Sequence, residues 1–187
     1  GADSVSFTRL SKDMEQGFPG NLTVTVTYTL NDANELIIDY YAVSDADTVV
    51  SLTNHCYYNI GKGGHKCKTV LGQELQVFSD AYTPVNEVLV PTGEIRSVEN
   101  TAMDFREPHR IGERIGEPLP DDSIVAGYDH NYILIKEDGE IVKAAVYSDR
   151  ETGRVIEVFT DFPGVQVYTA RELSVESGKE DIPYSGF

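Results

Sequence analysis

The stretch LTVTVTYTL (residues 22–30), followed by NDANE (31–35) and LIIDYYA (36–42), decides how this chain folds. Leu22, Val24, Val26, Tyr28 and Leu30 alternate strictly with Thr23, Thr25, Thr27 and Thr29. That period of two places one apolar and one hydroxylated face on a half-buried antiparallel strand. Leu36, Ile38, Tyr40 and Ala42 repeat the pattern against Glu35, Ile37, Asp39 and Tyr41. Asn31-Asp32-Ala33-Asn34 between them is turn chemistry, so the pair predicts a hairpin with a four-residue loop.

Working outward, strand-like runs recur at 48–60, 74–78, 131–136, 141–148, 154–160 and 164–169. Residues 149–153 read as a second hairpin turn, with Gly153 able to take a positive φ. No segment carries a 3.6-residue apolar stripe with a cap. Residues 84–123 hold Pro84, Pro91, Pro108, Pro118 and Pro120 and read as long loops over a sheet face. Many antiparallel strands with turns between them, no internal repeat and no linker predict one all-β domain over 1–187, a large antiparallel β-sandwich.

The chain has 31 acidic and 15 basic residues, a formal charge of −16. That charge repels phosphate backbones, so neither nucleic acid nor an anionic membrane is an expected partner. No apolar run approaches the roughly 20 residues that cross a bilayer, and there is no signal-like segment. Gly1-Ala2-Asp3 lacks a methionine and reads as a scar or an internal start. Cys56 and Cys67 are too few for a disulfide framework and are expected to be reduced thiols of a cytoplasmic protein. Asn21-Leu22-Thr23 has the form of a glycosylation sequon and is read as chance.

Few segments carry chemistry. Gly61-Lys62-Gly63-Gly64-His65-Lys66 is glycine-rich and basic, but no helix follows to complete a phosphate cradle, so it reads as a flexible loop. His55, Cys56, His65 and Cys67 are zinc-ligand types, yet adjacent residues of a strand point to opposite faces, which argues against a shared metal. Asp45, Asp47, Asp121 and Asp122 sit in turn contexts as solvated caps.

Three strands remain. In TNHCYYNI (53–60), a strand would place Thr53, His55, Tyr57 and Asn59 on one face and Cys56, Tyr58 and Ile60 on the other. A histidine there suits proton transfer to a polyhydroxylated ligand; the alternative is a solvated strand histidine. In GYDHN (127–131), Asp129 shares a face with Asn131, and a carboxylate beside an amide binds vicinal hydroxyls; the alternative is a strand-entry turn. In PGVQVYT (163–169), Val165 and Val167 face inward while Gln166 and Tyr168 face outward. Three polar faces with aromatic neighbours together suggest a carbohydrate groove.

At these residues the sequence resembles the aldose 1-epimerase family. The resemblance runs in order through GFPGNLTVTVTYTL (17–30), LTNHCYYNI (52–60), YTPVNEVLVPTGEI (82–95), MDFREPHRIGERI (103–115), GYDHNYIL (127–134) and GRVIEVFTDFPGVQVYTA (153–170). It implies a sandwich with the sugar on a concave sheet face and interconversion of the α and β anomers of hexoses such as galactose and glucose. A glutamate removes the C1 hydroxyl proton and a histidine protonates the ring oxygen, with no metal or nucleotide cofactor. Carried over by motif, His55 is the acid, Asp129 holds sugar hydroxyls and Gln166 lines the sugar site. Asn54 and Tyr57, on either side of His55, join them as substrate-binding candidates.

The departures are specific. Nothing here matches the family's upstream segment with its arginine and second histidine. The family glutamate follows a Ser-Gly-Phe stretch, and this sequence ends at Ser185-Gly186-Phe187. The expectation is a central-to-C-terminal portion of such an enzyme with reduced turnover. Its partner would be a small aldohexose, and its exposed edges would favour self-association. The alternative is a non-catalytic carbohydrate-binding module. Cys56, Gln73 and Ala170-Arg171 replace the usual serine, histidine and Gly-Asn, the last beside the sugar site. A phosphosugar relative would need a basic pocket that the charge balance does not supply.

Overall fold

The computed structural model describes residues 3–119 and 126–186. The acidic pair Asp121-Asp122 lies outside the described residues. The chain divides into two compact units, Gly1–Cys56 and Tyr57–Phe187. No helix among the described residues is long and apolar enough to cross a membrane.

The first unit is a three-stranded antiparallel meander of β1 (Asp3–Ser11), β2 (Leu22–Leu30) and β3 (Leu36–Ser44). Its register stacks Val5, Tyr28 and Ile38 on one face and Ser6, Thr27 and Asp39 on the other. The hydroxylated face carries cross-strand bonds between Ser6 and Thr27 (2.8 Å) and between Thr8 and Thr25 (2.9 Å). Because Leu30 pairs with Leu36, the hairpin loop has five residues rather than four. Asn31 organises it, accepting at Oδ1 from the backbone N–H groups of Ala33 and Glu35. Asn34 takes the left-handed conformation (φ 63°) that asparagine tolerates.

β1 was not among the expected strands. Its alternation of Val5 and Phe7 with Ser4, Ser6 and Thr8 ends at Arg9, too short a signal to stand alone. Conversely, the strand expected over 48–60 does not form, and no strand occurs from 45 to 73. Side chains serve this segment's backbone in place of a ladder: Asn54 Oδ1 accepts from the Cys56 N–H and Asn59 Nδ2 donates to the Cys67 carbonyl. At its start Asp45 accepts from both the backbone and the amide of Asn21 at 2.7 Å, which holds its carboxyl below the ordinary range.

The second unit contains β4 (Glu74–Val77), β5 (Ala81–Thr83), β6 (Arg96–Ser97), β7 (His109–Arg110), β8 (Asp129–Ile133), β9 (Val142–Asp149), β10 (Arg154–Thr160), β11 (Gly164–Tyr168), β12 (Ser174–Val175) and β13 (Tyr184–Ser185). Two four-stranded antiparallel sheets result, in the orders β10-β9-β4-β7 and β11-β8-β5-β6, and β12 pairs with β13. The β9–β10 turn is as expected. Gly153 adopts φ 69° and donates to the Asp149 carbonyl at 2.9 Å.

One core serves both sheets. Leu75 and Val77 of β4 and Ala145 of β9 join Tyr82 of β5 and Tyr132 of β8. Val98, Met103, Phe105, Ile111 and Leu119 from the proline-containing connection complete it. Phenols buried here need acceptors. Tyr128 donates to the Ala102 carbonyl (3.2 Å) and Tyr132 to that of Met103 (2.9 Å), which ties the connection to the sheet.

Burial also pushes the Tyr128 phenol up to about 12, and those of Tyr132 and Tyr147 upward as well. A folded-state value above the ordinary value of about 10 means that the unfolded chain loses these protons first. The stabilisation is therefore fully present below pH of about 10 and is lost as the pH rises towards the folded values. Thermal unfolding followed by circular dichroism should give a midpoint insensitive to these phenols from pH ~7 to ~9 that falls by pH ~11. A midpoint unchanged at the higher pH would contradict this reading.

Candidate sugar-binding site

The polar face of the β11-β8-β5-β6 sheet gathers the residues singled out by pattern. Antiparallel register sets Tyr168 opposite Asp129, and Gln166 opposite Asn131, which also pairs with Thr83. Side chains alternate along a strand, so Asp129, Asn131, Gln166, Tyr168 and Thr83 share one face. Gln166 Nε2 donates to Asp129 Oδ1 at 2.8 Å. The carboxylate is thereby oriented and keeps its second oxygen to accept from a hydroxyl. Thr83 had no distinguishing signal in the sequence, because its place depends on a three-residue strand and on register.

Gly164 permits this arrangement. A Cβ at this position would come 2.3 Å from Asn131 Oδ1 and 2.9 Å from the Tyr132 carbonyl oxygen. Any side chain there would displace Asn131. The ends of β8 and β11 are joined through Thr169, which is buried and accepts at Oγ1 from the Tyr128 N–H at 3.0 Å.

The reverse face of the sheet is apolar. His130 packs edge-on against Tyr82 with ring centroids 5.7 Å apart, Tyr132 is fully buried, and Val165 and Val167 pack on the core. In the Gly-Tyr-Asp-His-Asn motif the histidine therefore supports the sheet, while Asp129 and Asn131 face outward.

Tyr57 stands against Tyr168 with centroids 5.6 Å apart and planes inclined by 55°. The two rings border the Asp129–Gln166 pair with apolar surface that complements the C–H face of a sugar ring. A cavity of about 860 Å³ opens at the end of the sheet beside Asp129 and Tyr168, bounded by Leu89, Leu119, Tyr128 and Arg171. That size falls within the roughly 300–1,000 Å³ of small-molecule sites. Ala170, preceding Arg171, takes φ 56°, a conformation that favours glycine.

Asn54 and His55 belong to the first unit. His55 is exposed, on backbone outside any strand. Asn54 Oδ1 accepts from the Cys56 N–H at 3.1 Å, and the Thr53 hydroxyl donates to the Asn54 carbonyl at 3.2 Å. Asn54 thus closes a local turn around His55. Of the residues singled out by sequence, Asp129, Gln166 and Tyr57 are brought together in the second unit.

A sheet face that pairs a carboxylate with an amide beside two aromatic rings offers the acceptors, donors and ring surfaces that suit a polyhydroxylated ligand. Comparison with known proteins places the chain in a family. Residues 2–185 match the model of the aldose 1-epimerase family. The chain is 40% identical over its whole length to galactose mutarotase of Rattus norvegicus, covering 53% of it. It is 38% identical to aldose 1-epimerase of Escherichia coli K12, over 97% of this chain and 51% of that protein. The crystal structure of the GalM/aldose epimerase homologue from C. elegans superposes with a TM-score of 0.83 at 29% identity, covering 98% of this chain and 53% of that one. Galactose 1-epimerase from Lactobacillus acidophilus gives 0.67 at 32% identity, over 79% and 42%. The chain belongs to the aldose 1-epimerase family, with its antiparallel β-sandwich fold. It spans about half the length of the curated relatives it matches.

Proposed function

We propose that this protein takes part in the interconversion of hexose anomers, with an aldohexose such as galactose or glucose as substrate. The observation that carries the reading is the Asp129–Gln166 pair flanked by Tyr57 and Tyr168. Asp129 accepts from sugar hydroxyls, Gln166 fixes its orientation and lines the site, and the rings bear the apolar face of the sugar. Asn54 shapes the turn that presents His55, and His55 gives a proton to the ring oxygen as the C1–O5 bond breaks, while a general base takes the C1 hydroxyl proton and C1=O forms. Rotation about C1–C2 and reclosure then yield either anomer. Positioned proton transfer suffices for this chemistry, with no metal or nucleotide required.

Polarimetry of freshly dissolved α-galactose, set beside a calorimetric galactose titration, tests the reading. Acceleration above the spontaneous rate together with binding supports it. Binding without acceleration in a polypeptide with a complete acid–base pair favours a non-catalytic sugar-binding module, and the absence of both binding and acceleration contradicts both readings.

The free thiols of Cys56 and Cys67 accord with a reducing, cytoplasmic compartment. The formal charge of −16 disfavours nucleic acid as a partner. The 187-residue chain is also expected to self-associate. Val5, Phe7, Leu30 and Leu36 share a face of the first sheet and are each at least half exposed, a surface that favours association. Light scattering coupled to gel filtration should return a mass above the 20.7 kDa monomer. A strictly monomeric profile at high concentration would contradict it.

A further inference from the structure

We propose that Gln73 and Tyr147 are positioning residues that hold the ring of Tyr57 against Tyr168. The inference rests on the reading of Tyr57 as a sugar platform. It begins from a backbone problem: residues 57–61 belong to no strand, so their polar groups need partners from elsewhere.

Those partners are side chains of the β9–β10 hairpin and of the residue before β4. Arg154 Nη1 donates to the carbonyls of Ile60 (3.1 Å) and Gly61 (3.2 Å), and the Thr152 hydroxyl donates to Ile60 at 3.2 Å. The Tyr147 hydroxyl lies 3.4 Å from the Tyr58 carbonyl and donates to Gln73 Oε1. Gln73 Nε2 in turn donates to Asn59 Oδ1 at 2.8 Å, and Asn59 Nδ2 to the Cys67 carbonyl at 3.0 Å. Tyr147, Gln73, Asn59 and Cys67 thus form one relay with every donor aimed in the same sense.

The relay is stiff at its centre. Gln73 is 3% exposed, and its own backbone is fixed by bonds to Val70 and from Ile111. Burial keeps the Tyr147 phenol protonated, so it remains a donor. Gly61 closes the packing: a Cβ there would come 2.6 Å from Cys67 Sγ and 2.9 Å from Gln73 Nε2. Tyr57 stands two residues before Asn59, at the end of a segment whose path these contacts set. Removing the relay frees that path without touching Tyr57, Tyr168 or any ladder bond.

The experiment uses the full chain with Tyr147→Phe, which keeps the buried ring, and Gln73→Met, which keeps length and packing. Nuclear Overhauser contacts between the Tyr57 and Tyr168 rings are the direct readout, and cross-strand contacts within β9–β10 report the fold. The proposal expects the ring contact to be lost in both variants with the hairpin contacts intact. Galactose affinity should fall by about 3–10-fold, as expected when a preorganised contact must be ordered on binding. Ring contacts retained in both variants would overturn it. A Tyr57→Leu variant separates the underlying reading: unchanged galactose affinity there removes the platform role, while the ring contact still judges the positioning.

Discussion

Replacing His55 with alanine is expected to slow anomer exchange by about 10²–10⁴-fold in a polypeptide with a complete acid–base pair, the usual contribution of a positioned proton donor. Ring opening leaves negative charge on the departing ring oxygen, and without a donor that charge develops unneutralised. The loss corresponds to roughly 3–5 kcal/mol of transition-state stabilisation. Galactose affinity should change little, because hydroxyl binding is assigned to Asp129 and Gln166. The expected pattern is therefore a fall in kcat with KM nearly unchanged, measured by polarimetry. His55→Gln provides the control, retaining a hydrogen-bonding side chain that cannot transfer a proton at neutral pH. A glutamine variant that turns over at the parental rate would assign His55 to binding rather than to catalysis.

Replacing Phe105 with alanine is expected to have the largest effect on stability. Phe105 is 1% exposed, meets Tyr128 edge-on at 5.0 Å and lies under the Arg114 guanidinium, 5.5 Å from the ring centroid. Arg114 is itself held to the Thr101 carbonyl at 3.1 Å, and the Phe105 carbonyl accepts from Val77 at the end of β4. The ring therefore packs the long connection against Tyr128 at the entry to β8, while the residue's backbone ties it to β4. Its loss should cost about 3–5 kcal/mol through lost burial and the cavity left behind. For a unit of this size that corresponds to a fall in melting temperature of about 10–15 °C. Phe105→Leu should recover more than half. A shift below roughly 3 °C for the alanine variant would mean that the core rearranges to fill the space.

The strands that can be read directly are those with long, uninterrupted alternation. β2 declares itself because each face stays chemically uniform over nine residues, and β3, β9 and β10 because they are long runs rich in β-branched and aromatic residues bounded by turn chemistry. β5, β6 and β7 pair over only two or three residues and sit among prolines, so their existence depends on tertiary contacts. The segment 48–60 misleads for a related reason. Its alternation is real in sequence, but Asn54 and Asn59 use their amides on local and distant backbone, and no neighbouring strand is paired with it.

The site divides the same way. That Asp129 faces outward with Asn131, and Gln166 with Tyr168, follows from alternation within each strand. That Gln166 reaches Asp129, and that Tyr57 meets Tyr168, depends on register and on a path fixed by side chains from residues far along the chain. The Tyr147–Gln73–Asn59 relay was invisible for that reason: its members lie 14 and 74 positions apart and match no motif.

The most direct test of the central claim is an amide-resolved NMR titration of the protein with galactose. The account predicts saturable shifts at Asp129, Asn131, Gln166, Tyr168 and Tyr57, with Tyr132 and Val165 on the reverse face little affected. Asp129→Ala should abolish these shifts while leaving the spectrum of the folded protein otherwise intact. Saturable shifts confined to other surfaces, or an Asp129→Ala variant that binds as the parent does, would contradict it.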